Sequence, residues 1–312
     1  MNSLNDRSPD LPPTGHEPVL LDAVLEALRP EPGKTLIDCT IGRAGHALAL
    51  ASRLGSEGLL VGLDVDPRNL EYARQRLAEV KCRVRLFHAN FAELGDVLAQ
   101  IGNVPVHGIL ADLGVSTSQL FDPRYGLSFS QDMPLDMRLD PRLEKSAADY
   151  VNSLSEKGLA NVLYELAQER WSRRIARKIV EARRASPITS TERLAELVRS
   201  AIPARHGSRQ SIDPATRTFL ALRMKVNREM ENLQALLEQA PWVLSGEGGR
   251  LAIISFQSME DRMVKQAFRS LEQTAAQQFK VLTRKPIVPS DAEIAANPRS
   301  RSAKLRVLER TS

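Results

Sequence analysis

Aromatic residues are scarce in this chain of 312 residues: eight Phe, four Tyr and two Trp, or 4%. Extensive stacking of nucleobases on many aromatic platforms is therefore excluded. Only two cysteines are present, Cys39 and Cys82. They are too few for a disulfide framework or a four-cysteine zinc site, and a reducing, cytoplasmic setting is the expectation. The five histidines and two cysteines show no metal-ligand spacing, so no metal is expected. No apolar run approaches the roughly 18–20 residues of a membrane helix, and no membrane association is expected. Met1 to Glu17 lack the apolar centre of a signal peptide. Neither charge sign dominates, with 43 Lys+Arg against 38 Asp+Glu; the balance permits a nucleic-acid partner without demanding one. With 42% hydrophobic and 26% charged residues, the composition is that of a folded globular protein, and disorder throughout is excluded.

Residues 1–16 read as a flexible arm, because Pro9, Pro12, Pro13 and Gly15 leave little to pack. Apolar positions at helical spacing follow up to Leu28, and Pro30 and Pro32 stop that helix. Strands are predicted at 35–39, 59–64, 84–88 and 106–113, with helices at 42–54, 67–80 and 91–101 between them. The strands are continuously apolar and alternate with helices, which implies βαβ units and a parallel sheet covered on both faces. The rhythm then breaks. Residues 120–140 are irregular, and 147–184 and 190–201 read as helices. It returns with a helix at 217–238, a strand at 249–256, a helix at 261–273 and candidate strands at 279–283 and 303–308. The expected organisation is an arm over 1–16, a discontinuous α/β domain over 17–118 and 210–312, and an inserted all-helical domain over 119–209, suited to RNA recognition.

The end of the first strand, Asp38-Cys39-Thr40-Ile41-Gly42-Arg43-Ala44-Gly45-His46, has small residues that let backbone pass close to a ligand. Asp64 ends the second strand, 22 residues after Gly42, where a carboxylate can hold a ribose diol. The turn alone could be only a tight strand-to-helix connection, and Asp64 could cap the next helix. Phe91, after the third strand, could cover an adenine face. A dinucleotide site would need Gly-x-Gly-x-x-Gly, and the run from Gly42 lacks the second glycine. S-adenosylmethionine (SAM) needs no phosphate cradle, so SAM is favoured over NAD. Asp112 ends the fourth strand beside the first, where open parallel sheets bind ligands. Asp112 and Gln119 are candidates for holding SAM or the incoming nucleophile, with capping of a turn as the simpler role for Asp112.

Arg170, Arg173, Arg174, Arg177 and Lys178 lie beside an apolar face of Trp171, Ile175 and Ile179. Arg299, Arg301, Lys304 and Arg306 form a second basic cluster, and Arg217, Arg223, Lys225 and Arg228 a third. Each alone is an ordinary solvated face; three together suggest a surface for phosphate backbone.

Several segments in order resemble one family. They are His16-Glu17-Pro18-Val19-Leu20-Leu21, Asp38 to His46, Asp112-Leu113-Gly114-Val115-Ser116, and Gln119-Leu120. Pro134-Leu135-Asp136-Met137-Arg138, Ala215-Thr216-Arg217-Thr218-Phe219 with Ala221-Leu222-Arg223, Ser255 to Lys265, and Asn297 to Arg306 complete the set. Together they resemble the RsmH (MraW) family of SAM-dependent methyltransferases, which methylate cytosine N4 in the decoding region of small-subunit (16S) ribosomal RNA. The resemblance implies a Rossmann-like SAM domain with a helical insertion. It implies SAM-binding positions at Ala44, Gly45, His46, Asp64, Phe91, Asp112 and Gln119, and a partner in small-subunit rRNA or the small ribosomal subunit. Asp112, or a backbone carbonyl near it, is the candidate acceptor for the amine proton. The oligomeric state stays open. Two departures stand out: Ala44 replaces a usual glycine, which is tolerable if the backbone there avoids positive φ, and Gln257 replaces a usual histidine. A smaller one is Ala167-Gln168-Glu169-Arg170, where Gly-Glu-Glu-Arg is usual. Competing readings are a methyltransferase of another nucleic acid, and a SAM-binding RNA-binding or ribosome-assembly factor with weak or lost turnover.

Overall fold

The computed structural model describes residues 18–102, 104–203, 213–246 and 248–312; the arm expected over 1–16 lies outside them. The first half reads α1 (Leu21–Leu28), β1 (Thr35–Asp38), α2 (Gly45–Leu54), β2 (Leu59–Asp64), α3 (Pro67–Arg76), β3 (Arg83–His88), α4 (Leu94–Ile101), β4 (Gly108–Asp112) and α5 (Thr117–Phe121). Helices α6 (Ala147–Ser153), α7 (Glu156–Ala167), α8 (Ser172–Arg183), α9 (Thr191–Ala201), α10 (Ala215–Val226) and α11 (Glu229–Val243) follow. The chain closes with β5 (Gly249–Ser255), α12 (Ser258–Thr274), β6 (Phe279–Val281), α13 (Asp291–Ala296) and β7 (Lys304–Arg310).

The sheet has the order β3-β2-β1-β4-β5-β7-β6. Strands β1 to β5 are parallel, and β7 runs antiparallel to both β5 and β6. The two late strands thus form an antiparallel extension of the expected parallel sheet, since antiparallel neighbours need no crossover helix. The order steps outward from β1 to β3 and then returns to place β4 beside β1. That reversal opens a crevice at the carboxyl ends of β1 and β4. Neighbouring residues of a strand face opposite sides. Leu36 and Leu60 enter a core with α1, α2 and α3, while Ile37, Val61 and Ile109 enter one with α4, α11 and α12.

A third core holds the helices. It gathers Val151, Leu163, Ile175, Ile179, Leu194 and Val198 with Phe219 and Leu222. Because α10 buries Phe219, Leu222 and Val226 there, the helical core extends past the boundary expected at residue 209. The helix expected over 147–184 is broken twice. Ser155 is extended and its side chain accepts from Gly158 N at 3.1 Å, capping α7. Gln168 then takes a left-handed conformation, φ 52°, and ends it. Arg228, also at φ 52°, divides the expected 217–238 helix into α10 and α11. Neither break carries the glycine that usually marks such a turn.

Candidate active site

The turn after β1 is fastened to both neighbouring strands. Cys39 N donates to Leu110 O at 2.8 Å, and Ile41 N to Leu63 O at 2.9 Å. Asp112 N donates to Thr40 Oγ1 at 2.7 Å, and Gly42 N to Asp64 Oδ2 at 2.8 Å. Gly62 makes room for this: a Cβ on it would overlap the Ile41 side chain. Ala44 is fully buried at φ 58°. The condition for easy replacement of glycine is therefore not met, and the methyl sits in a strained left-handed backbone at a cost of roughly 1–2 kcal/mol, partly offset by its burial. Ala44 gives α2 no side-chain cap, and the positive end of the helix dipole there favours an anionic or acceptor group. Pro18 packs over Gly45, and the buried His46 ring has Nε2 2.8 Å from Val19 O.

Three carboxylates converge at the carboxyl ends of β1, β2 and β4. Asp64 is buried and accepts from Gly42 N, Asp66 N at 2.8 Å and Asn69 Nδ2 at 3.2 Å. An ionised carboxylate offers about four lone-pair sites, so room remains for about one ribose hydroxyl rather than both. Asp38 accepts from Thr40 N at 3.1 Å. Asp112 Oδ2 lies 3.7 Å from His46 Nδ1. Its Oδ1 is enclosed and has no hydrogen-bond partner; among the described residues only Thr218 Oγ1 shares that condition. Burial raises all three: Asp64 to about 6, Asp38 to about 7 and Asp112 to about 8. Repulsion from Asp38 and Glu260 adds to the shift of Asp112.

Two further residues complete this end of the sheet. Phe91 begins a single turn of 3₁₀ helix after β3, capped by Asn90, with its ring against the second core. Gln119 is buried in α5; its Oε1 accepts from Ser116 N at 3.1 Å and its Nε2 donates to Asp66 Oδ2 at 3.3 Å. Its amide thus joins the start of α5 to the start of α3. The helix cap considered for Asp64 belongs instead to Asp66, whose Oδ1 accepts from Arg68 N at 3.0 Å.

Glu260, within the Ser255 to Lys265 segment, holds the turn after β5. It is buried, and one of its oxygens accepts from Phe256 N and Gln257 N, each at 3.0 Å. Its burial raises its pKa, and its charge reaches Asp112. Gln257, the departure from the usual histidine, stands at the N-cap of α12; its backbone N–H is held by Glu260, while its side chain makes no capping hydrogen bond. Gln257→Ala keeps that backbone N–H, so stability should stay within about 0.5 kcal/mol and the methyl-transfer rate should change less than threefold. Chemical denaturation and initial rates check both.

On α8, Arg173, Arg174, Arg177 and Lys178 are exposed, as is Arg170 before it. Ile175 and Ile179 are fully buried, which turns the charges outward. Arg170 and Arg174 both lie over the Trp171 ring, at 5.7 and 5.5 Å. The second cluster is less uniform. Arg299 and Arg301 are exposed, and Arg299 donates to Thr117 Oγ1 at 2.9 Å. Lys304, however, pairs with Asp261 at 3.5 Å, and Arg306 is buried against the same carboxylate at 2.6 Å. The structure therefore takes the buried Arg306 out of the exposed basic surface, while Lys304 keeps 37% of its side chain exposed. In the third cluster Arg223 is similarly committed, to Glu229 at 2.8 Å. Among the described residues no His, Cys, Asp or Glu group could hold a metal ion, and no helix is long and apolar enough to cross a membrane.

The arrangement is a crevice with buried acids, one unpaired acceptor and a helix N-terminus, suited to a ligand that carries positive charge and polar donors. Residues 13–311 match the model of the MraW methylase family. The chain is 46% identical over 308 residues to a protein of Syntrophotalea carbinolica, covering 95% of this chain and 98% of the other. It is 44% identical to one of Geobacter sulfurreducens and 41% identical to one of Clostridioides difficile, with the same coverage. All three are called ribosomal RNA small subunit methyltransferase H. Among solved structures, an rRNA methylase from Streptococcus thermophilus aligns at 13% identity over 94% of both chains, with a TM-score of 0.43.

Proposed function

The chain belongs to the MraW methylase family, and from that membership we propose that it is a SAM-dependent methyltransferase of small-subunit rRNA, acting in the cytoplasm on the exocyclic N4 amine of a cytidine. The observation that carries this reading is Asp112 Oδ1, a buried acceptor without a partner beside the crossover of β1 and β4. SAM fits the residues present. Its sulfonium and ammonium charges suit the buried carboxylates Asp38 and Asp64 and the partly exposed Asp112, and its carboxylate suits the start of α2 at Ala44, Gly45 and His46. One open acceptor site on Asp64 suits a ribose hydroxyl, and Phe91 and Gln119 border the same crevice.

When bound, SAM supplies a methyl group already activated by positive charge on sulfur. The protein's task is then to align the acceptor and to accept its proton. A cytosine amine is a weak nucleophile because its lone pair is delocalised into the ring. Asp112 accepts a hydrogen bond from that N–H, which returns density to nitrogen, and takes the proton as the N–C bond forms. For this it must be ionised, and a cation brought beside it lowers its pKa and favours that form. The target base leaves its stack to reach the crevice. The exposed face of Arg170, Arg173, Arg174, Arg177 and Lys178, together with Arg299 and Arg301, holds the RNA backbone. The inserted helices thus serve recognition, and the sheet serves chemistry.

The test uses purified protein, methyl-labelled SAM, and small subunits lacking the modification, with naked rRNA in parallel. Nucleosides from the digested product are read by mass spectrometry. N4-methylcytidine is the expected product. Label on a ring carbon or a ribose oxygen would overturn the N4 assignment. SAM binding without transfer to either substrate would favour the reading as a binding or assembly factor.

A further inference from the structure

The chemistry above gives no role to the motif Pro134-Leu135-Asp136-Met137-Arg138. Asp136 and Arg138 line a cavity of about 250 Å³ between the start of α3 and the loop that follows α5. Asp66 and Arg68 form its sheet side, and Arg124 and Tyr125 its loop side. Pro67, Leu139 and Pro141 supply apolar surface.

The loop is built to hold its shape. Met137 is fully buried in a left-handed conformation, φ 65°. Its N donates to Tyr125 O at 2.7 Å and its O accepts from Asn227 Nδ2 at 2.8 Å. Asn227 Oδ1 accepts from Leu139 N at 2.9 Å. A strained residue persists where its surroundings over-determine it, and such strain concentrates at functional sites.

The guanidinium groups are fixed as well. Asp136 grips Arg138 through two bonds, at 2.7 and 2.8 Å, and Asp122 grips Arg124. Arg68 lies 4.5 Å above the Tyr125 ring, with Asp66 and Asp122 at 3.5 and 3.8 Å. Arg68 and Arg124 nonetheless keep 44% and 60% of their side chains exposed, so each presents further N–H donors outward. The buried Asp66 accepts from both Tyr125 OH and Gln119 Nε2, which makes it a wall common to this cavity and the cofactor crevice. The cavity is open to solvent on one side, so a nucleotide can seat its phosphate within it while the rest of the unit extends toward the surface.

We propose that this cavity receives one nucleotide of the RNA substrate, its phosphate held by Arg68 and Arg124 and its sugar and base against Pro67, Leu139 and Pro141. The inference rests on the rRNA methyltransferase reading. Preset arginines with residual donors are the usual means of holding a phosphate.

The experiment compares wild type, Arg68→Gln, Arg124→Gln and Arg68→Lys. Binding of a small-subunit rRNA fragment is titrated at several salt concentrations, and SAM binding is measured by calorimetry. Each Gln variant should bind RNA about tenfold more weakly, with a salt slope smaller by about one, and Arg68→Lys should recover part of the loss. SAM affinity should stay within twofold. Unchanged RNA affinity and slope would overturn the proposal. So would weakened SAM binding with RNA binding intact, which would assign the cavity to the cofactor's adenosine. RNA binding is read without turnover, so methyl transfer by the wild type tests the parent reading separately.

Discussion

Asp112→Asn should lower methyl transfer by about 10²–10⁴-fold at saturating SAM, the range typical for removal of a positioned proton acceptor. The amide keeps the shape and can still accept a hydrogen bond, but it cannot take a proton. Near-normal turnover of this variant would end the role assigned to Asp112. The same substitution should flatten a pH dependence. Asp112 is raised to about 8 by burial and by Asp38 and Glu260. A cation binds its ionised form, so below pH 8 binding must displace a proton. SAM affinity should rise roughly tenfold per pH unit up to about 8 and then level off, as linkage requires. Asp38, raised to about 7, steepens the curve at lower pH. Calorimetry in buffers of different ionisation enthalpy should detect about one proton released near neutral pH, and none of it from Asp112 in the variant. Stability without SAM runs the other way. Asp38, Asp64 and Asp112 have folded pKa values above the ordinary carboxylate range. The stability they confer is full below about pH 4, where they are protonated even in the unfolded chain, and is lost as pH rises through 6 to 8. Melting temperature without SAM should therefore be lower at pH 8.5 than at pH 5.5, and added SAM should close much of the gap.

Gly126→Ala should have the largest effect on folding. Gly126 sits at φ 60°, and a Cβ there would overlap the Pro134 carbonyl oxygen and crowd Asp136 N at 3.0 Å. Both obstacles are backbone atoms that cannot rotate away. The left-handed conformation and the overlap together should cost more than about 3 kcal/mol, a fall in melting temperature of about 6 °C or more. The strained Met137 and the Asp136–Arg138 pair depend on the same loop, so RNA binding should weaken beyond the loss of folded protein. A variant as stable as wild type, by differential scanning calorimetry, would contradict this account of the loop.

The parallel strands and their helices were legible because each strand is a short, continuously apolar run and each helix has its own period. The carboxylates Asp64 and Asp112 were visible at their strand ends as well, since a lone acid after an apolar run has no packing role; Asp38 became part of the site only once the fold set it beside them. Local spacing could not reveal the breaks at Gln168 and Arg228. Both residues are exposed and left-handed, a conformation that their side chains do not favour and that no local pattern announces. Nor could sequence reveal that Arg306 is buried against Asp261, which lies more than 40 residues away along the chain, or that Lys304 shares the same carboxylate. Nor could it show that Gln257 stands at the start of α12 with its backbone N–H held by Glu260.

By itself the sequence determined the alternation of strands and helices, the family motifs and the residue types at each strand end, because these depend on neighbours along the chain. Only the tertiary structure decided their charge states and company. It placed three carboxylates in one crevice, left Asp112 Oδ1 without a partner, and joined Asp66 to Tyr125 and Gln119. Burial and electrostatic repulsion depend on what surrounds a group in space, and residues distant in sequence supply those surroundings.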